Sequence, residues 1–162
     1  MPSHELKENI LPANVDPIYT LTPNISFCVP VLVGAVSDGS GVIDGGGTVT
    51  LYKAFTAGSN GSYLRESRIK VGSTTGVTGP TSATNMRFYL ATVGSGSPTT
   101  ANSHPIAEIA LPALTGSLSA PTPDFVVPWG FAIPTGMYLL CNIGVVQIAN
   151  TVWQVTTIGG DY

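Results

Sequence analysis

The sequence predicts an all-β protein: a two-sheet antiparallel β-sandwich, jelly-roll-like, with an extended N-terminal arm. From Ile25 onward the apolar runs are short and rich in β-branched or aromatic residues, which is typical of strands rather than helices. Nearly every run is bounded by glycine, proline, serine or asparagine. The chain has 162 residues, 43% of them hydrophobic, which suits one domain with a substantial core.

The predicted arm comprises residues 1–22, and the predicted sandwich domain comprises residues 23–162. Pro12, Pro17 and Pro23 interrupt the arm, and this spacing prevents a long helix and favours an extended path. An extended segment cannot bury its own apolar side chains. We therefore expect it to pack along its parent domain or across another subunit, a partly disordered terminus being the alternative.

About eight strands are expected in the sandwich. They span residues 25–36, 48–55, 63–71, 86–93, 105–111, 124–133, 137–146 and 152–158. Pro30 places the first of them at a sheet edge or a bulge, because proline cannot donate to a central ladder. Residues 59–61 (Ser-Asn-Gly) and 133–136 (Ile-Pro-Thr-Gly) favour hairpins or sharp corners. Short strands with long surface loops favour the jelly-roll topology.

Two strands show a clear division into faces. Arg68 and Lys70 alternate with Ile69 and Val71, which predicts a half-buried strand with a basic outer face.

In the last strand, Trp153, Val155 and Thr157 share one face. The following Gly159 and Gly160 are expected to release the chain from strand geometry.

The scarcity of charge indicates an assembling protein. Only 9% of residues are charged, against about a quarter in ordinary soluble domains. A surface built from uncharged polar groups resists aggregation poorly, so it is better suited to partial coverage by a partner. The net charge of −3 argues against nucleic acid as the main partner. A basic patch would form if four residues lay on neighbouring strands: Arg65, Arg68, Lys70 and Arg87. The favoured interpretation is instead a solvated strand face or a set of ion pairs between subunits.

Neither a membrane nor a targeting signal is indicated. No apolar stretch reaches the roughly 20 residues of a membrane span, and the first residues lack a basic segment followed by an apolar one. Cys28 and Cys141 lie in apolar runs and are expected to be buried, reduced thiols, which suits synthesis in a cytoplasm.

No catalytic, cofactor or metal site is predicted, so we expect a protein that is not an enzyme. Ser103 and His104 are adjacent in sequence, which is not how a nucleophile and its base are arranged, and pairing with Glu108 or Asp161 has little support. The glycine-rich residues 38–47 lack the ligand pattern of a calcium loop and the ending of a phosphate loop.

Aromatic residues suggest an alternative function, a receptor- or glycan-binding module. Aromatic faces can stack on sugar rings, although within strands they are more often core or interface residues. The residues concerned are Trp129, Tyr52, Tyr63, Tyr89 and Tyr138.

A series of motifs links the chain to a known family. In order, they are Phe55-Thr-Ala-Gly-Ser-Asn-Gly-Ser62, Arg68-Ile-Lys-Val71, Arg87-Phe-Tyr-Leu90, Ile106-Ala-Glu-Ile-Ala-Leu-Pro112 and Trp153-Gln-Val-Thr-Thr-Ile-Gly-Gly-Asp-Tyr162. This order resembles a family of short phage and prophage virion proteins, many of which end in Trp-x-Val-Thr-x-x-Gly-Gly-Asp-Tyr. The resemblance covers roughly residues 48–162 and leaves the arm outside.

The resemblance implies a virion structural protein, a head decoration or cement protein, and it transfers no catalytic residues. In such a particle, the alternative function would be a tail- or fibre-associated receptor- or glycan-binding module. We expect such a protein to be made in the host cytoplasm, to associate with itself as a homotrimer and to bind the major capsid protein on the outer head surface. Asp161 and Tyr162 would either close their own domain or meet arginines of a neighbouring subunit. The candidate interface residues are Ile10, Leu11, Ile18, Tyr19, Arg65, Arg68, Arg87, Asp161 and Tyr162.

Overall fold

The computed structural model describes residues 20–31, 51–73, 80–94, 101–115, 121–145, 147–148 and 150–162. These parts of the chain form eight β-strands, and the predicted all-β class is confirmed. The strands are β1 (Thr22–Val31), β2 (Tyr52–Thr56), β3 (Ser62–Ser73), β4 (Thr84–Ala91), β5 (Ser103–Leu111), β6 (Phe125–Ile133), β7 (Tyr138–Ile143) and β8 (Thr151–Asp161). Within the described ranges, no helix has the length and apolar character needed to cross a membrane.

The strands form two four-stranded antiparallel sheets. Sheet A has the order β1-β8-β3-β6, and sheet B has the order β2-β7-β4-β5. Four of the pairings are nested: β4 pairs with β5, β3 with β6, β2 with β7 and β1 with β8. The eight strands thus form four nested antiparallel pairs, as in one long ribbon. The ribbon folds over so that β3 also pairs with β8 in sheet A and β4 also pairs with β7 in sheet B. This arrangement is the predicted jelly roll.

The two predicted reversals are corners between the sheets rather than hairpins. Residues 57–61 lead from β2 in sheet B to β3 in sheet A, and residues 134–137 lead from β6 in sheet A to β7 in sheet B. Gly61 (φ 89°) and Gly136 (φ 77°) supply the positive torsions that these corners require.

The core lies between the inner faces of the two sheets. Its largest buried side chains include Trp153, Leu64 and Ile69 from sheet A and Phe55 and Phe88 from sheet B. Interdigitation of such aliphatic and aromatic groups is the main stabilising contribution in a sandwich of this kind.

The ring of Trp129 packs against this core, and its indole nitrogen forms a hydrogen bond to a polar side chain. Its ring meets that of Phe88 edge to face at 5.1 Å between centroids. Its Nε1–H donates to Ser67 Oγ at 2.8 Å, and Ser67 Oγ lies 2.8 Å from Thr157 Oγ1. Three inward polar groups of sheet A therefore satisfy one another inside the sandwich.

The face division of β8 is as predicted, but the role of its glycines is not. Trp153, Val155 and Thr157 are buried. Gly159 and Gly160 do not release the chain: β8 continues through both to Asp161, paired with β1 and β3. A Cβ at Gly159 would clash with the main-chain oxygen of Tyr63, and a Cβ at Gly160 would clash with the side chain of Thr20. Glycine is present because neighbouring atoms approach so closely.

At the start of the sandwich, β1 begins at Thr22, three residues earlier than the predicted strand. It is an edge strand of sheet A, and its register shifts between Cys28 and Val31, so the expectation from Pro30 of an edge or a bulge is confirmed. Residues 1–19 of the predicted arm lie outside the described residues.

Candidate functional site

The Asp161 carboxylate joins three strands at one end of sheet A. Asn24 Nδ2 on β1 donates to both of its oxygens, at 2.9 Å and 3.1 Å. Ser62 Oγ at the start of β3 donates to Oδ1 at 2.5 Å. Ser62 Oγ in turn accepts from the main-chain N–H of Gly58 at 2.8 Å. We call Asn24, Ser62 and Asp161 the Asp161 clasp.

The residues around the clasp are fitted closely to it. A Cβ on Gly58 would lie 2.7 Å from Asp161 Cγ, so only glycine fits beside the carboxylate without a shift. The N–H of Tyr162 donates to the Gly61 oxygen at 3.2 Å, and Asn60 Nδ2 donates to the Tyr162 oxygen at 3.3 Å. These contacts lie within one chain, so the geometry favours the first of the two roles considered for Asp161 and Tyr162, closure of their own domain.

The predicted basic group is divided between the two sheets. Arg65, Arg68 and Lys70 are exposed on β3 of sheet A, whereas Arg87 lies on β4 of sheet B. Because β3 and β4 do not share a sheet, these four residues form no single patch.

Arg68 is already engaged by acids of its own sheet. Its Nε donates to Glu66 Oε1 at 2.9 Å, and its NH1 donates to Asp124 Oδ2 at 3.3 Å. The hydrogen bond and charge of Glu66, followed by the charge of Asp124, raise the pKa of Arg68. Arg65 is the extra residue of a bulge, because Leu64 pairs with Gly159 of β8 and Glu66 pairs with the adjacent Ile158.

Arg87 is buried rather than presented on the surface. It is 5% exposed, and its Nε donates to Glu108 Oε2 on β5 at 2.8 Å. Glu108 also accepts from Asn85 Nδ2 at 2.8 Å through its other oxygen. The Glu108 side chain is about half exposed, so this ion pair lies at the surface of sheet B, where it links β4 to β5.

The remaining predicted interface residues, Ile10, Leu11, Ile18 and Tyr19, lie outside the described residues.

Residues 24–27 of strand β1 have their polarity reversed relative to the other strands, with polar side chains inside and apolar side chains outside. Ser26 pairs with the buried Thr157, so Ser26 and, two residues away, Asn24 face inward. Ile25 and Phe27 face outward, opposite Ile158 and Thr156. They are 52% and 76% exposed, and Leu21 just before the strand is 85% exposed. We call Ile25 and Phe27 the β1 strip.

A large aromatic ring that faces water on a regular strand is a feature of contact surfaces. Burying apolar area is favourable by about 25 cal/mol per Å², and Phe27 gives up most of this contribution in the isolated chain. Contiguous exposed apolar groups of this kind mark interaction sites in soluble proteins. The β1 strip is therefore the strongest candidate contact surface among the described residues.

The residues examined for catalysis are not arranged as a reactive site in the described structure. Ser103 is buried and its Oγ donates to Asn102 Oδ1 at 3.0 Å, whereas His104 is exposed on β5. In the described ranges, no group of three or more His, Cys, Asp or Glu side chains could hold a metal ion. Residues 38–47 lie outside those ranges, and Cys141 is buried and not part of a disulfide.

The aromatic residues considered for sugar binding are dispersed. Trp129 and Tyr52 pack against the core, while Tyr89 is fully buried in a small cluster on sheet B against which Tyr138 packs. Tyr63 is exposed on the outer face of sheet A. These five residues do not form a shared exposed platform.

Comparison of the chain with protein-family models, with curated proteins and with solved structures gives no match.

Sequence reasoning missed the β1 strip and two of the three clasp residues. The alternation Asn24, Ile25, Ser26, Phe27 carries a signal for the strip, because it shows two faces of opposite polarity. Which face points inward depends on register against β8, which local sequence does not specify.

Proposed function

We propose that this chain is a bacteriophage virion structural protein that decorates the capsid and stabilises adjacent capsid subunits from the outer head surface. The observation that carries the proposal is the β1 strip: an edge strand of the sandwich turns Ile25 and Phe27 toward solvent. Exposed apolar side chains on adjacent strand positions are typical of proteins that bind another protein through that surface.

The low charge of the chain supports the same role. Only 9% of the residues are charged, and Arg68 and Arg87 are both paired with acids of their own sheets. An interface made by this chain therefore relies on apolar burial and main-chain or uncharged polar contacts rather than on ion pairs. The resemblance of the motifs from residue 48 to residue 162 to phage virion proteins supports a particle as the setting.

The partners in this proposal are the major capsid protein and further copies of this chain. The N-terminal residues 1–19 would supply an additional contact with the capsid, because they contain Ile10, Leu11, Ile18 and Tyr19. No enzymatic step, cofactor, nucleic acid or membrane enters the proposed role.

The test is the position and copy number of the protein in purified phage particles. Quantitative mass spectrometry should give copies in a fixed ratio to the major capsid protein, and cryo-electron microscopy should show density on the outside of the head. A handful of copies confined to the tail would contradict the proposal and favour a receptor-binding role.

A companion experiment removes residues 1–19 and measures rebinding to particles that lack the protein. The deletion ends before β1, which begins at Thr22, so the sandwich should still fold. We expect weaker retention on sedimented particles. If the shortened protein is folded and sediments with the particles as well as the full chain does, residues 1–19 do not contribute to capsid binding.

A further inference from the structure

The chain that leads into β1 lies on the outer face of sheet A. Side chains alternate along β8, so a Cβ at Gly159 would point inward, toward Phe55, and a Cβ at Gly160 would point outward. The outward Cβ would overlap the side chain of Thr20, and Gly160 itself is buried. Thr20 therefore covers β8 from the outer side of the sheet.

A straight continuation of β1 would not bring Thr20 to this position. The first residue of β1 pairs with Asp161, the last residue of β8, so a straight strand would place Thr20 beyond the end of β8. The chain instead bends at Leu21, and Thr20 meets Gly160. Residues 1–19 therefore join the described chain on the outer face of sheet A, where the chain runs from β1 toward β8 and β3.

The outer face beyond Thr20 offers an exposed aromatic side chain between two small residues. Gly160 pairs with Tyr63 on β3, and Tyr63 pairs with Ala132 on β6. The ring of Tyr63 is exposed. Neighbouring strands lie about 4.8 Å apart and an extended segment spans about 3.3 Å per residue, so a few residues before Thr20 suffice to cross β3.

This face carries two cations that have no acid beside them in the described structure. Arg65 and Lys70 are exposed on β3, and neither forms an ion pair with a described residue. The acids of the face are already engaged, because Glu66 and Asp124 both bond to Arg68. An acidic segment that lies across β3 would therefore be attracted to Arg65 and Lys70.

The sequence of residues 1–19 complements this face. Three acids stand against one lysine, namely Glu5, Glu8, Asp16 and Lys7. Ile18 and Tyr19 directly precede Thr20, and such side chains can pack on an exposed ring like that of Tyr63. The segment is up to about 60 Å long when extended, several times the width of a four-stranded sheet.

We propose that residues 1–19 dock on the outer face of sheet A of their own chain, crossing β8 and β3 with their acids beside Arg65 and Lys70. Their own chain is the favoured acceptor because Thr20 already lies on this face, which keeps the segment at a high local concentration there. Since the segment crosses toward β3, it leaves the β1 strip at the margin of the sheet uncovered. The docking is therefore compatible with the proposed capsid contact and does not depend on it.

The test is carbodiimide cross-linking of the full chain, which joins a carboxylate to a lysine amine where the two are in contact. Besides Lys7, the chain has two lysines, Lys70 on the proposed docking face and Lys53 on β2 of sheet B. Lys53 is the internal control, because it is also an exposed strand residue. A freely moving segment would sample both lysines, since about 15 flexible residues extend about 20 Å.

We expect peptide mass spectrometry to find acids of residues 1–19 joined to Lys70 at least about tenfold more often than to Lys53, within single chains. Arg65→Glu should lower the yield at Lys70 at least about threefold, the effect of an exposed ion pair. Ile106→Glu, which adds an acid at an exposed position of β5 in sheet B, is the matched control and should leave the yield unchanged. Circular dichroism verifies that each variant is folded.

Three results would overturn the proposal. Equal yields at Lys70 and Lys53 would indicate a segment that is not docked, and no product at Lys70 would place it elsewhere. Products at Lys70 found only in covalently joined dimers would place the segment on a second copy. Because no phage particle is used, each of these results would leave the proposed capsid role to its own test.

Discussion

The carboxylate of Asp161 shows how a single side chain can hold the beginning and the end of a sandwich together. It accepts from Asn24 on β1 and from Ser62 on β3 while itself lying on β8. Hydrogen bonds to an ionised group each contribute about 1.5–3 kcal/mol to stability. We predict that Asp161→Asn lowers the free energy of unfolding by at least this amount, because the new amide nitrogen cannot accept from the donors around it.

Urea denaturation followed by tryptophan fluorescence measures this change, and Asp124→Asn serves as the control. Asp124 also bonds to a side chain, but through an exposed ion pair with Arg68, which contributes about 0–1 kcal/mol. Equal losses for the two variants would mean that the clasp adds nothing beyond an ordinary surface contact.

Ser67 offers a second prediction for a single residue. Its hydroxyl serves both Trp129 Nε1 and Thr157 Oγ1 in the interior of the sandwich. Ser67→Ala leaves both of these groups without that partner, and an unsatisfied buried polar group costs about 1–3 kcal/mol. The exposed Ser59 provides the matched change Ser59→Ala, and a difference of less than about 0.5 kcal/mol between the two in urea unfolding would contradict the assigned role.

The sequence identified Asp161 as notable but not its partners. Asn24 and Asp161 are 137 positions apart, and no local pattern predicts which of several asparagines meets a given carboxylate. Arg87 illustrates the same limit. Its position between Met86 and Phe88 indicates a side chain that points away from the core, yet it is only 5% exposed, and its partner Glu108 lies 21 positions away on β5.

Strand β8 is the element whose interior is most restricted by its neighbours. A Cβ at Gly159 would meet the main-chain oxygen of Tyr63, which cannot move without disturbing β3. We predict that Gly159→Ala lowers the free energy of unfolding by about 1–3 kcal/mol, the usual cost of forced overpacking.

Gly144→Ala is the control for this substitution in thermal and urea unfolding. A Cβ there would have its nearest neighbour at 3.7 Å, an ordinary contact, and Gly144 has no positive φ. It should be neutral or stabilising by up to about 1 kcal/mol, because alanine reduces the conformational freedom of the unfolded chain. A Gly159→Ala protein as stable as Gly144→Ala would show that β3 and β8 can separate at little cost.

The alternation of apolar and polar residues was sufficient to predict that each described strand exists, because every second residue of a strand faces the core. The division of β3 into Arg68 and Lys70 outside and Ile69 inside is an example. It was not sufficient for β1, whose polar side chains face inward, nor for the end of β8, where glycines that suggested an exit from the sheet allow close packing within it.

For the whole molecule, the position of β8 determines whether the fold can exist. It lies between β1 and β3 in sheet A, and among the described strands β1 pairs with β8 alone. We predict that a chain ending at residue 150 shows no cooperative unfolding transition by circular dichroism, because it lacks one of the two inner strands of sheet A and the buried Trp153.

Removal of residues 1–19 provides the comparison, because it leaves all eight strands in place. A cooperative transition in the chain that ends at residue 150 would mean that sheet B and the remaining strands form a domain by themselves. The number of strands and the two-sheet class could be predicted from the sequence, whereas the nested pairing depends on contacts between distant segments that local patterns do not encode.

The nested pairing also determines the order in which strand pairs can form while the chain is being synthesised. Among the described strands, β4 and β5 are the only two that are neighbours in both sequence and sheet, so their pairing is available first. Each further pairing joins an earlier strand to one still to be synthesised, and the inner strand β8 of sheet A becomes available only when residues 151–161 emerge. Until then β1 and the adjoining edge of β3 lack the strand with which they pair, and unpaired strand edges make a nascent chain prone to aggregation.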